Sequence, residues 1–533
     1  MAGWFWPGRA ALGVGERRAG WARSAGVFVL VLALAALPRL TSGHTLVTAD
    51  EPRWFTRTIQ FGAAVAARDW AGTYQSGHPG VTVLWLGALA TGFQPVRSAE
   101  DSTLRTFSEP VRAEFWAARR TLALAASALL ALVVLLAARV VGMWAALLGG
   151  VLLALDPWLV AHSRILHLDG LLSLLAAVAV LSSLAYWQCQ GGSGFLVLSG
   201  VAAGLAVLTK SSALAFLPPV LLLLATGGAW PARPGGWRRL LQGLGLQAGI
   251  ASVTALIVWP ALWVDPLGTT LRVLRFGLET GGVSHGLGSF FLGHEINDPG
   301  PLFYPVALAF RLSPLALLGL VAWALPRRGW LGRMDSMRAT RWLAASAVVI
   351  VLVMAAAPKK QDRYVLPTVP LVSVVAATGL CRAVAATISR AEPRSLAVGG
   401  LGLAQLALCA STRPVFFSAY SPLLGGGAVA QQVIPVGWGE GLRPIVRYLN
   451  QRLSSPGQTV AVPTTVRLAL EAQLRARVRE NSSPRHADYQ VTYINAEQRG
   501  HGASKDGRLV LTVRINGVDY AHLYDLQPAR VNG

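Results

Sequence analysis

The chain has 533 residues, 53% of them hydrophobic and 14% charged, with a mean hydropathy of +0.49. That excludes an ordinary soluble globular protein and fits one that crosses a membrane many times. The formal net charge of +22, from 47 Lys and Arg against 25 Asp and Glu, comes with no basic stripe interleaved with aromatics. Nucleic acid is therefore excluded as a partner, and an excess of Lys and Arg in the short loops on one side of a membrane explains the charge.

Apolar runs long enough to span a bilayer core of about 30 Å occur near 24–40, 119–138, 143–160, 168–187, 195–210, 211–226, 240–263, 302–325, 341–357, 364–382 and 395–412. The expectation is a polytopic α-helical protein of about eleven transmembrane helices, with short and closely joined spans on either side of Lys210. Residues 51–70 read as an amphipathic interfacial helix, with Trp54, Phe55, Ile59 and Phe61 toward lipid or protein and Arg53, Arg57 and Arg68 toward water. Residues 78–93 read as a re-entrant or interfacial stretch. With a cytoplasmic N-terminus, alternation gathers Arg233, Arg238, Arg239, Arg327, Arg328, Arg333, Arg338, Arg341, Arg382, Arg390 and Arg394 on the same side. It places 41–118, 161–167, 264–301, 358–363 and everything beyond 412 outside. The domains expected are a membrane part, 1–415, with external loops 41–118 and 264–301, and a small extracytoplasmic α/β domain, 416–533. In that domain helical patterns fall at 440–454 and 464–478, and alternating segments at 488–495 and 508–524.

The chemistry-bearing residues collect on the outer side. Asp50-Glu51-Pro52 follows the first span. Alone it suits a solvated turn or helix cap; its position at the interface also suits a carboxylate that accepts a proton from an acceptor hydroxyl. Lys359, Lys360 and Arg363 lie outside against the positive-inside trend, either snorkelling from a helix end or clamping a phosphate at headgroup height. His162, Arg164, His167 and Asp169 form a turn entering the fourth span, where they can pair with one another or contact substrate. Arg119 and Arg120 open the second span on the same side, as anchors or as phosphate contacts. The Cys residues at 189, 381 and 409 form no metal spacing or disulfide framework. His285, His294, Glu295 and Asp298 match no tight ligand motif, and Gly281-Gly282 with Gly286 and Gly288 lack the context of a nucleotide fingerprint. No metal or cofactor is expected. A secondary transporter and a noncatalytic subunit binding polyprenyl lipid are the rival readings.

Asp50-Glu51-Pro52, His78-Pro79-Gly80-Val81-Thr82, Ser163-Arg164 with Leu168-Asp169, Pro301-Leu302-Phe303-Tyr304 and Lys359-Lys360-Gln361-Asp362-Arg363-Tyr364 together resemble bacterial members of the protein O-mannosyltransferase-like superfamily, glycosyltransferase family 39. Tail segments such as Gly437-Trp438-Gly439-Glu440-Gly441 are also similar to such proteins. The resemblance implies a GT-C membrane fold and inverting transfer of mannose or a related hexose or pentose from a polyprenyl-phosphate carrier. The acceptor, a protein hydroxyl, a lipid or a cell-wall glycan, would be met on the outer face of a bacterial cytoplasmic membrane. Asp50 falls at the usual position of the base and Glu51 at that of an orienting or sugar-binding partner. Lys359, Lys360 and Arg363 would hold the donor phosphate, with Arg164, Arg119 and Arg120 as further candidates. His78, His162, His167 and Asp169 are weaker candidates for substrate contact.

Overall fold

The computed structural model describes residues 14–41, 47–93, 109–229, 236–325, 334–453, 458–474, 477–480, 487–502 and 507–526. Arg233, Arg327, Arg328 and Arg333 of the positive-inside argument lie outside the described residues.

Among the described residues seven helices are long and apolar enough to cross a membrane, from Ala22–Leu40 to Ala391–Ser411, and the number rises to nine if two bent pairs each count as one span. Both bends fall where the chain writes a cap before a proline. Asp156 accepts from Leu159 N ahead of Pro157, and Ser313 accepts from Ala316 N ahead of Pro314. A residue before proline is pushed out of the α region, so each apolar run breaks there and restarts with a satisfied cap. The bends are 63° and 116°. The remaining two of the eleven expected spans fall on Gly194–Thr209 and Ala213–Ala229, which are 16 and 17 residues long and below the usual spanning length. The chain is a multi-pass membrane protein.

The helix Asp169–Gln188 is the centre of the bundle, buried along nearly its whole length. Its N-terminal end packs tightly under the turn that precedes it. A Cβ at Gly170 would lie 2.6 Å from the carbonyl oxygen of His162, so this position tolerates only glycine without backbone movement. Glu51–Ala66 is the expected amphipathic helix. Trp54, Phe55 and Phe61 are buried, while Arg53 is exposed. The stretch at 78–93 contains the helix Val81–Thr91, and its start is pinned to the break between the two short helices by Gly80 N to Thr209 O, 3.2 Å. The segment 264–301 is more structured than a loop. It carries the helix Pro266–Gly282 and a hairpin of β1 (Ser289–Phe291) and β2 (His294–Ile296).

The tail holds β3 (Thr459–Val462), β4 (Arg477–Glu480), β5 (Tyr489–Tyr493), β6 (Arg508–Ile515) and β7 (Val518–Asp525), in the order β4-β3-β5-β7-β6. β3 runs parallel to β4 and β5, whereas β5-β7 and β6-β7 are antiparallel. Asn516 and Gly517 both take positive φ between β6 and β7, the turn that Asn-Gly favours in a two-residue hairpin. The helix Leu442–Arg452 buries Leu442, Ile445, Val446 and Leu449, one face at helical spacing. The helical pattern expected over 464–478 shrinks to a 3-10 turn, Thr464–Val466, and the short helix Arg467–Glu471. β4 then follows, because pairing with the buried β3 outweighs local helical preference.

Candidate active site

Four distant segments meet at the N-terminal end of the central helix. Asp169, in its first turn, is buried and accepts from Lys210 Nζ at 2.5 Å. Lys210 sits in the break after Gly194–Thr209, and its ammonium lies 4.6 Å from the centroid of the Tyr364 ring. The second oxygen of Asp169 is 3.2 Å from His167 Nδ1 and 3.4 Å from Arg363 Nε. Arg363 then reaches across to Asp50, with Nη2 3.3 Å from Oδ2, and His167 Nε2 approaches the same oxygen to 3.8 Å. Arg363 and His167 thus each bridge the buried carboxylate and the one facing the cleft. Asp50 and Asp169, in contact with the fixed cations Arg363 and Lys210, can remain charged where an isolated ion could not.

Adjacent in sequence, Asp50 and Glu51 live in different environments. Asp50 precedes the helix Glu51–Ala66, yet its side chain makes no capping bond; it keeps 30% of its exposure and opens on a cleft. Burial pushes its carboxyl upward, but Arg363, His167 and Arg53 outweigh this and hold it below the ordinary aspartate range. It is therefore ionised at neutral pH. Glu51 is fully buried. It accepts from Arg119 Nε at 2.6 Å and from Arg119 Nη2, from Leu166 N at 2.8 Å, and from the Thr48 N–H and hydroxyl at 2.8 and 3.1 Å. With both oxygens so engaged, Glu51 ties three chain segments together and faces no open space.

The tail domain supplies the opposite wall. Gly437, Gly439 and Gly441 all take positive φ, and this tight path projects Trp438 inward. The guanidinium carbon of Arg363 stands 4.3 Å from the Trp438 ring centroid; the rings of His167 and His162 are 4.9 and 5.5 Å from it. The loop is held from behind by the buried Glu440, which accepts from Trp438 N and from Tyr493 Oη, while Gly439 N donates to Tyr493 Oη at 2.8 Å. A cleft of about 250 Å³ lies between these walls. Asp50, Arg53, Lys360 and Arg363 line one side, and Trp438, Thr465, Asn495 and Arg499 the other.

Other sequence candidates land elsewhere or are already engaged. Lys360 reaches the cleft, but its ammonium donates to Asp298 at 2.6 Å and to the Ala357 carbonyl at 2.7 Å. Lys359 is half-buried, and burial, then Arg363, lowers its pKa. Arg119 belongs to Glu51, and Arg120 points to the exposed side of the same helix. Arg164 is buried away from the cleft, donating to the Pro414 carbonyl at 3.3 Å and lying over Phe416. His78 binds Ser211 Oγ at 2.7 Å, and burial, then Lys210, pushes it down to about 3, so it is neutral. Among the described residues no group of three His, Cys, Asp or Glu could hold a metal. Sequence reasoning assigned no role to Lys210, Trp438, Glu440 or Arg499. A lone lysine between two apolar runs is itself a signal of a functional or paired charge, and a tryptophan between glycines marks a presented aromatic.

Residues 104–260 match the family described as Dolichyl-phosphate-mannose-protein mannosyltransferase. No curated protein matches the chain. Among solved structures it is similar to ArnT from Cupriavidus metallidurans in the apo state, with 15% identity, 95% of this chain and 98% of that chain covered, and a TM-score of 0.50. It is also similar to the archaeal oligosaccharyltransferase AglB from Archaeoglobus fulgidus, with 14% identity, 91% and 71% covered, and a TM-score of 0.51. These structural likenesses carry the fold. Over residues 104–260 the chain is thus similar to the dolichyl-phosphate-mannose-protein mannosyltransferase family, and its fold is that of a polytopic membrane protein with a small C-terminal mixed sheet.

Proposed function

We propose that this protein moves a sugar, mannose or a related hexose or pentose, from a polyprenyl-phosphate carrier to an acceptor hydroxyl of a protein, lipid or cell-wall glycan. The reaction takes place with inversion, on the outer face of a bacterial cytoplasmic membrane. The membrane part, 1–415, holds the lipid, and the tail, 416–533, covers the cleft from outside. The observation that carries the reading is the ionised Asp50 carboxylate, set at the head of an interfacial helix and open to a cleft beside Arg363. The AglB structure is of a complex with an inhibitory peptide and a dolichol-phosphate, a ligand of the same class as the donor inferred here.

In this mechanism Asp50 takes the proton of the acceptor hydroxyl as its oxygen bonds to the anomeric carbon. The bond from that carbon to the phosphate oxygen breaks on the opposite face. The negative charge gathering on the phosphate is met by Arg363, held in place on the cleft wall by its acidic partners. Glu51 acts by fixing the Asp50 segment against Arg119 and the Leu166 backbone. The test is transfer from a synthetic polyprenyl-phosphate sugar by the purified protein in detergent or nanodiscs. Absence of transfer to every acceptor class, with donor intact, would reject the reading.

A further inference from the structure

The cations of the cleft differ in how they are balanced. Arg363 has Asp50 and Asp169, Arg311 has Asp362 at 2.7 Å, and Lys360 has Asp298 at 2.6 Å. Arg53 stands at the rim in water. Arg499 is mostly buried on the tail wall, and among the described residues no carboxylate pairs with it. Its Nε is buried with no hydrogen-bond partner. Its Nη1 has only a marginal contact, 3.5 Å, with His285 Nδ1, a nitrogen that already accepts from Leu287 N at 3.2 Å. His285 cannot neutralise it, since burial, then Arg499 itself, holds that imidazole down to about 4 and therefore uncharged. Burial, then Arg363, draws Arg499 down to about 10, which leaves it a full cation at neutral pH.

A buried guanidinium without an anion is costly, and an anionic ligand in the cleft would offset that cost. A second unsatisfied group points to the same place. Among the described residues the Thr465 hydroxyl is buried without a partner, in a turn that packs against the helix Ile494–Glu497 just before Arg499. Both residues line the cleft that Asp50 faces. We propose that Arg499 and Thr465 form an oxyanion subsite on the tail wall of the cleft, receiving a phosphate or carboxylate carried by the lipid donor or by the acceptor. A guanidinium fork with an adjacent hydroxyl is suited to two or more oxygens of such a group. The lipid-donor branch rests on the glycosyl-transfer reading, whereas the subsite itself does not.

The experiment uses the full chain in detergent micelles. One arm titrates a sugar-free polyprenyl phosphate, and the other titrates inorganic phosphate by ³¹P NMR with that lipid already saturating. Arg499→Gln should weaken one of the two by about tenfold or more, the loss of a charge-assisted contact, and Arg499→Lys should recover part of it. Weakening in the lipid arm places the donor headgroup on Arg499. Weakening only in the second arm places a separate anion there, as an acidic acceptor would supply. Wild-type binding of free phosphate that depends on Arg499, without any binding of the lipid, would keep the subsite and reject the donor reading. Equal binding by wild type and Arg499→Gln in both arms, or no binding of either by wild type, overturns the proposal. Should Arg499→Gln fail to fold, Thr465→Val and Arg499→Lys are compared instead, and unchanged affinities in both overturn it as well.

Discussion

Trp438, presented by the tail domain, lies against Arg363 of the membrane part, with 4.3 Å between guanidinium carbon and ring centroid. This contact joins a residue of the C-terminal tail to the ion pair that holds Asp50. A desolvated cation–π contact is worth up to about 2 kcal/mol, so Trp438→Ala should lower kcat/KM for transfer roughly 3- to 30-fold. Trp438→Phe should retain most of the activity, because a smaller ring still faces the guanidinium. Equal loss in both variants would mean that Trp438 acts through packing alone.

Arg363→Ala has two expected consequences. Loss of charge-assisted bonds to the donor, worth about 1.5–3 kcal/mol, should reduce kcat/KM for the lipid donor by roughly ten- to a hundredfold. The second consequence is in the pH profile. Burial alone would raise Asp50, and Arg363 is the foremost group holding it down. Activity needs the ionised carboxylate and is lost as pH falls through its pKa, so removing Arg363 should move the acid limb to higher pH. A limb that stays in place would assign it to another group.

Much of this arrangement was legible in the sequence, and the failures have physical causes. Asp50, His162, Arg363 and Asp169 could be picked out because ionisable groups next to apolar runs are costly unless they have work or partners. What one dimension cannot convey is pairing. Arg119 and Glu51 are 68 positions apart, and only the fold shows that they neutralise each other. Lys360 carried the same charge in the sequence as Lys359, yet Asp298, from the segment 264–301, engages it. β3 was missed because a buried four-residue strand shows no alternation. The two bent pairs read as continuous spans because hydropathy does not register the Asp-Pro and Ser-Pro caps within them.

Glu51→Gln should behave as a stability variant. It leaves the Arg119 guanidinium buried beside a neutral amide, and breaking a buried pair in this way costs about 3–5 kcal/mol. Thermal unfolding of the solubilised protein should shift strongly downward, with correctly folded molecules retaining donor binding. The double variant Glu51→Gln with Arg119→Gln should be less destabilised than the sum of its single changes. Wild-type stability in Glu51→Gln, combined with loss of turnover, would instead give Glu51 a direct part in the chemistry.

Loop charge predicts the sidedness of the site. Reporter fusions after residues 335 and 440 should report opposite sides of the membrane, cytoplasmic and external respectively, since Lys and Arg are retained on the cytoplasmic side. Same-side signals would move the cleft to the other face and remove the argument for a lipid-carried sugar.

Asp50→Asn tests the chemistry most directly. The substitution keeps the size of the side chain and leaves an oxygen that can still accept from Arg363, but the amide cannot take a proton from the acceptor hydroxyl. Turnover should fall by about 10²–10⁴-fold, the range for a positioned general base. Because Asp50 is partly exposed and Glu51 carries the buried framework, folding and donor affinity should change little. The measurement is single-turnover transfer from a synthetic polyprenyl-phosphate sugar, with donor binding followed separately. A fall in kcat with donor affinity retained is the signature of an interaction made only in the transition state. Near-wild-type turnover in Asp50→Asn would place the base elsewhere on the cleft, with His162 the next residue to replace, since its buried Nδ1 lacks a partner.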